Sequence, residues 1–242
     1  MFIKTERILR MVFVLADLHL SHSSDKPMDV FGPVWENHTR KIYENWQRVV
    51  APEDTVIIPG DISWGMDFGT SAEDLKFVDS LNGTKIIGKG NHDYWWQTMR
   101  KLNAFLDEIG ATTIKFLFNN AYAVENYIIC GTRGWFTDAK YTPEDEKIVL
   151  REAGRLELSL AEAMKLKKTR PESEIVAFLH YPPAYNGIIC RPITEILNKY
   201  GVGRCFYGHI HGAPPENQEP YAGNTRLYCI SADFIKFKPM RI

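Results

Sequence analysis

Five short segments hold much of what this chain offers a cation: Asp17-Leu18-His19, Gly60-Asp61, Gly90-Asn91-His92-Asp93, His180 and Gly208-His209-Ile210-His211. Five of the seven histidines lie in them, so histidine is concentrated where a site should be. Imidazole, carboxylate and amide oxygen suit borderline and hard divalent ions, here Mn, Fe or Zn, rather than metals selected by thiolate. A carboxylate shared by two such ions about 3.5–4 Å apart lets both engage phosphate oxygens and one hydroxide. Two divalent ions would outweigh Asp17, Asp61 and a bridging hydroxide, leaving a net positive centre for a phosphate ester.

Those side chains matter only if the fold carries them to one place. The chain alternates short apolar runs with longer amphipathic stretches, the pattern of an α/β fold. Val12–Ala16 and Thr55–Pro59 read as strands buried on both faces, and Lys85–Gly88 as a third strand. Helices are expected over Trp35–Val50, after a capping box at Thr70-Ser-Ala-Glu73, and over Trp95–Ile109 with Gly110 as its stop. Thr113–Phe118, Tyr122–Glu125 and Tyr127–Cys130 read as strands, the last two a hairpin turning at Asn126. Thr142 and Pro143 open a long helix to about Lys168, as N-cap and first helical residue. A strand at Ile175–Leu179, a helix at Ile193–Tyr200, a strand at Arg204–Tyr207 and closing strands near Leu227–Ile230 and Phe234–Lys238 complete the chain. Each of the five segments follows a strand, and an open parallel sheet binds ligands outside the carboxyl ends of its strands.

The order D-x-H, G-D, G-N-H-D, a lone His, then G-H-x-H resembles the calcineurin-like metallophosphoesterase superfamily, from Asp17 to His211. The resemblance implies a four-layer α-β-β-α sandwich with two mixed sheets and the metal site at the C-terminal ends of the strands. It implies one ion at Asp17, His19, Asp61 and His211 and a second at Asp61, Asn91, His180 and His209, with Asp61 bridging. His92 would stand beside the leaving oxygen, as general acid or as transition-state stabiliser, while a metal-bridging hydroxide attacks phosphorus. Many relatives carry an acidic residue three positions after the Gly-Asp aspartate to orient that histidine. Here the position is Trp64, which leaves Asp67 or Asp93 as partners and weighs against a protein phosphatase.

Taken singly, each motif has a plainer reading. Asp17 and Asp61 could cap helices, Asn91 could serve a turn, and His180 could pack in a loop. Jointly, in order and at five strand ends, they read as a site. His22 reads as a surface loop histidine, His38 as a partly exposed helix residue, and the four cysteines as small core residues. Arg133, flanked by Thr132 and Gly134, either grips phosphate or pairs with an acidic residue. Trp64, Tyr94, Trp135, Tyr181 and Tyr185 suggest an aromatic wall for the leaving group, with at least one of Trp95 and Trp96 in the core.

Composition removes other classes. The 242 residues are 45% hydrophobic and 24% charged, with 29 Lys and Arg against 30 Asp and Glu. That balance gives no bulk electrostatic case for nucleic acid or a membrane surface. No run is long enough for a membrane span, and the scattered cysteines suit reduced thiols in a cytoplasmic protein. Residues 1–10 precede a second methionine, Met11, and read as preceding the natural start or as a poorly ordered leader. One domain over 1–242 is expected, acting on a small-molecule phosphodiester or phosphomonoester. The alternatives are a nuclease, a protein phosphatase or a non-catalytic scaffold, and the oligomeric state is not legible.

Overall fold

The structure, a computed structural model, describes residues 10–136, 141–212 and 218–242. The expected leader therefore lies, save for Arg10, outside the described residues. Alternation of side chains along each strand builds three apolar layers. In β1 (Val12–Val14), Val12 and Val14 face one way and Phe13 the other; in β2 (Thr55–Ile58), Ile57 opposes Val56 and Ile58. α1 (His38–Val49), α2 (Phe68–Ser80) and α3 (Met99–Ile109) cover the Phe13 side, with β3 (Thr84–Ile87) and β4 (Ile114–Phe116) completing that sheet.

The second half repeats the arrangement. β5 (Tyr122–Val124) and β6 (Tyr127–Thr132) form the expected hairpin, followed by α4 (Pro143–Thr169), capped by Thr142 with Pro143 in its first turn. Then come β7 (Glu174–Leu179), the short pair β8 (Ala184–Tyr185) and β9 (Ile188–Ile189), and α5 (Arg191–Lys199). β10 (Arg204–Tyr207), β11 (Tyr221–Ala222), β12 (Thr225–Cys229) and β13 (Met240–Arg241) finish the chain. α4 and α5 cover one face of the second sheet through Leu156, Leu160, Ile193 and Leu197. Val12, Val14, Ile57, Ile86, Ile129, Val176, Phe178 and Phe206 form the layer where the two sheets meet. The result is helices, sheet, sheet, helices.

Both sheets are mixed. The first runs β13-β1-β2-β3-β4, parallel except for the antiparallel edge strand β13, and the second runs β11-β12-β10-β7-β6-β5, with a parallel centre and antiparallel strands at both edges. All the parallel strands therefore send their carboxyl ends toward one edge.

Several expected boundaries differ, each for a local reason. The capping box of α2 is Asp67 with Thr70, not Thr70 with Glu73, because the Asp67 side chain accepts the Thr70 N–H at 2.9 Å. α1 starts at His38 because Pro33–Trp35 turns as a 3-10 helix and Asn37 adopts φ +53°. α3 starts at Met99 because residues 93–96 form a turn, the Trp96 N–H donating to the Asp93 carbonyl. Phe234–Lys238 is no strand; left-handed Lys236 and Phe237 turn the chain so that Met240–Arg241 pairs with β1 instead.

Lys85, fully buried in β3, donates to the carbonyls of Asp79 at 3.1 Å, Leu81 at 2.6 Å and Gly83 at 2.8 Å, tying down the end of α2. Lys85→Met keeps the apolar stem and strands those carbonyls. The substitution is expected to lower Tm by several degrees, since a buried unpaired polar group costs about 1–3 kcal/mol. An unchanged Tm in thermal denaturation would contradict this account of Lys85.

Candidate metal centre

The site is built where the loops after β1 and β2 run side by side. The Asp17 N–H donates to the Gly60 carbonyl at 3.1 Å and the His19 N–H to the Asp61 carbonyl at 3.0 Å. Asp17, His19, Asp61 and His209 all adopt left-handed backbone, with φ +60°, +46°, +52° and +70°. Strain of this kind gathers at functional sites, where the surroundings must hold it. The motif glycines have a steric cause. A Cβ on Gly90 would lie 2.0 Å from Asp61 Oδ1, and one on Gly208 would lie 2.6 Å from Asp17 Oδ2.

Backbone donors orient the carboxylates. Asp17 accepts the His209 N–H at 2.9 Å through Oδ2, and Asp61 Oδ1 accepts the His92 N–H at 2.8 Å. Asp61 Oδ2 is buried and has no hydrogen-bond partner among the described residues. It lies 3.7 Å from His19 Nε2 and 3.5 Å from His180 Nε2. His19 Nε2 meets His211 Nε2 at 3.2 Å, and His180 Nε2 meets Asn91 Oδ1 at 2.6 Å. Asp17, His19 and His211 could hold one cation, as could Asp17, Asp61 and His180. The His209 ring lies 5.1 Å from that of His180. The other six expected ligand residues thus gather around Asp61.

Electrostatics favour a cation here. Burial raises Asp17 to about 6 and Asp61 well above the usual carboxylate range, the latter helped by Asp93 and Asp17. Burial also holds His19 and His180 well below the ordinary imidazole range, and His209 at about 4. Buried carboxylates among neutral imidazoles form a set of lone pairs whose desolvation a divalent ion offsets. His211 differs. Burial lowers it, but its Nδ1 contact with Asp233 Oδ1 at 2.8 Å, with the Asp17 and Asp233 charges, raises it overall. Such a carboxylate partner fixes the tautomer and leaves Nε2 free toward His19.

His92 is placed beside Asp61, but neither expected carboxylate reaches its ring. Asp67 caps α2, and Asp93 is occupied by the N–H groups of Asp61, Ile62, Ser63 and Gly90 and by Trp95 Nε1. The ring packs instead on Trp64, centroids 4.1 Å apart, with His92 Nδ1 buried and unpartnered among the described residues. Burial, with His211 and Lys26, holds His92 below its ordinary range.

Arg133 combines both readings of its side chain. Its guanidinium lies over Trp135 at 5.3 Å and Tyr181 at 6.0 Å, with Nη2 3.6 Å from the buried Glu152 carboxylate. Tyr181 packs on His209 at 4.1 Å, which brings this cluster to the centre's His209 side. Tyr94 is half exposed, 6.1 Å from His92. Trp95 and Trp96 are both buried in the core. His38 is buried rather than partly exposed, its Nε2 3.2 Å from the His19 carbonyl. His22 turns away from the centre to Asp74, Nδ1 to Oδ1 2.7 Å.

Sequence reasoning missed Asp233 and Trp35. Asp233 stands alone 22 residues past His211, and Trp35 carried only a helical spacing. No local pattern marked either.

The calcineurin-like phosphoesterase family profile matches residues 11–213. No curated protein matches the chain. Among solved structures, a protein of unknown function from Aquifex aeolicus is 15% identical, covers 96% of both chains and has a TM-score of 0.55. The phosphopantetheinyl hydrolase of Mycobacterium tuberculosis is 12% identical over 96% of this chain and 95% of its own, with a TM-score of 0.53. A Thermus thermophilus protein is 10% identical over 97% and 98%, with a TM-score of 0.54. These likenesses are of fold, while the profile match spans most of the chain and every residue gathered around Asp61. The chain belongs to the calcineurin-like phosphoesterase family and is a metal-dependent phosphoesterase.

Proposed function

We propose that the protein hydrolyses a small-molecule phosphate ester, a phosphodiester or phosphomonoester, with two divalent ions sharing the Asp61 carboxylate. The observation that carries this reading is Asp61 Oδ2, buried, unpartnered among the described residues and set between His19 and His180. Asp17, His19, Asp61 and His211 would hold one ion, and Asp61, Asn91, His180 and His209 the other. Mn, Fe or Zn there would supply positive charge for phosphoryl oxygens and acidify water.

The chain's own residues do the rest. His92, held below its ordinary range, is largely neutral at neutral pH and donates a hydrogen bond to the departing oxygen. Trp64 fixes the ring in place of a carboxylate. Arg133 engages phosphoryl oxygens, steadied by Glu152. Arg133→Ala is expected to raise KM about tenfold or more, with metal content unchanged, in steady-state kinetics. An unchanged KM would leave Arg133 as a partner of Glu152 alone.

All seven donors present weigh against a non-catalytic scaffold, and the net charge of −1 weighs against a nuclease. No helix among the described residues is long and apolar enough to cross a membrane. The four cysteines are buried and unbridged, which supports a cytoplasmic setting. The test is hydrolysis of an aryl phosphodiester beside its monoester, before chelation, after it, and after Mn²⁺ return. Activity should vanish and recover. Activity indifferent to chelation would contradict the proposal.

A further inference from the structure

Beside His92 lies a cavity of about 290 Å³ lined by Phe31, Val34, Trp35 and Trp64 together with His92 and His211. Most of the apolar lining comes from one short stretch, two 3-10 turns at Met28–Phe31 and Pro33–Trp35 on either side of Gly32, to which Trp64 adds from the loop after β2. Phe31 is 67% exposed and Val34 46% exposed, so large apolar side chains stand in water at its mouth. No lysine or arginine is among its described lining residues, although Lys26 lies 5.8 Å from the centre of the Trp64 ring. Its carboxylate, Asp233, is already engaged by His211 Nδ1 and the Gly212 N–H. Among the described lining residues no lysine or arginine is present to pair with a second phosphate or a carboxylate.

We propose that this cavity receives the departing alcohol, and that the alcohol is uncharged and carries a planar group of one or two rings. The assignment rests on the hydrolysis and the role of His92 given above. His92 lines this cavity, whereas Arg133 stands with Tyr181 and Trp135 beside His209. Water adds to phosphorus, the bond from phosphorus to the alcohol oxygen breaks, and the proton from water ends on that oxygen. The oxygen that leaves must lie on the His92 side, so the group attached to it lies against Trp64 and Phe31. Size agrees: a dry cavity of about 150 Å³ accepts benzene, so this one has room for a fused pair of rings. Aromatic walls favour flat, apolar partners.

The test uses two measurements. Saturable binding of 1-naphthol to the chelated protein is read by tryptophan fluorescence. kcat/KM for 1-naphthyl phosphate and methyl phosphate is read on the Mn²⁺-loaded protein. Phe31→Ser and Val34→Ser are compared with wild type and with Val30→Ser, a 70% exposed neighbour outside the lining. Comparing each ester between proteins cancels its intrinsic reactivity. The proposal expects naphthol binding to weaken about fivefold or more, and the naphthyl-to-methyl ratio to fall about tenfold, in Phe31→Ser and Val34→Ser but not in Val30→Ser. Absence of saturable naphthol binding, or equal loss on both esters, would overturn the subsite while leaving the hydrolysis standing. Naphthol binding without hydrolysis of either ester would overturn the hydrolysis itself, and with it the departing role of this cavity.

Discussion

Asp61→Asn is expected to cut kcat/KM for any phosphate ester by more than about 10²-fold and to lower bound metal measurably. The size follows from position. Even an outer partner of a metal ligand is worth about 10–100-fold, and Asp61 Oδ2 stands between both halves of the ligand set. The same change should leave the chelated protein as stable as wild type or more so. Burial, Asp93 and Asp17 all disfavour a charge on Asp61, and asparagine keeps an acceptor for the His92 N–H while removing that charge. Metal analysis, kinetics and Tm of the chelated protein together check the prediction. Full metal content in Asp61→Asn would contradict it, whereas a large fall in Tm would mean that Asp61 serves the fold.

His92→Ala should behave differently. Its kcat is expected to fall about 10²–10³-fold with metal content unchanged, because in the proposed mechanism the ring acts on substrate, and the backbone N–H that serves Asp61 remains. The pH profile distinguishes the two roles open to this ring. A charged acid would lose activity as pH rises through a value below the ordinary imidazole range. A neutral donor gains its active form over that interval and holds it at higher pH. A wild-type kcat that holds from pH 7 to 8 fits the neutral donor, and a steady decline over that range would contradict it.

Much of this architecture was legible because its information is local. The unbroken apolar runs Val12–Ala16 and Ile175–Leu179, Pro143 after Thr142, and Gly110 after α3 each leave a signature within a few residues. The five ligand segments were legible for a related reason. Four of them carry a glycine or a left-handed residue shortly after a strand, so chemistry and backbone constraint share one short stretch, while His180 follows β7 without either.

What failed to show depends on contacts across the chain. His38 looks like an ordinary helix histidine until its ring meets the carbonyl of His19. Asp233 gains its role from a turn that brings it back to His211, and Trp35 from a 3-10 segment read as regular helix. Asp93 was a fair partner for His92 by proximity in sequence. The structure gives its oxygens to backbone N–H groups and to Trp95 Nε1, and the His92 ring packs on Trp64 instead.

The most direct test of the metal centre is anomalous diffraction from crystals grown with Mn²⁺. Two peaks are predicted, one among Asp17, His19 and His211 and one among Asn91, His180 and His209, each within ligand distance of the Asp61 carboxylate. No peak there, or ions bound only elsewhere on the molecule, would contradict the account.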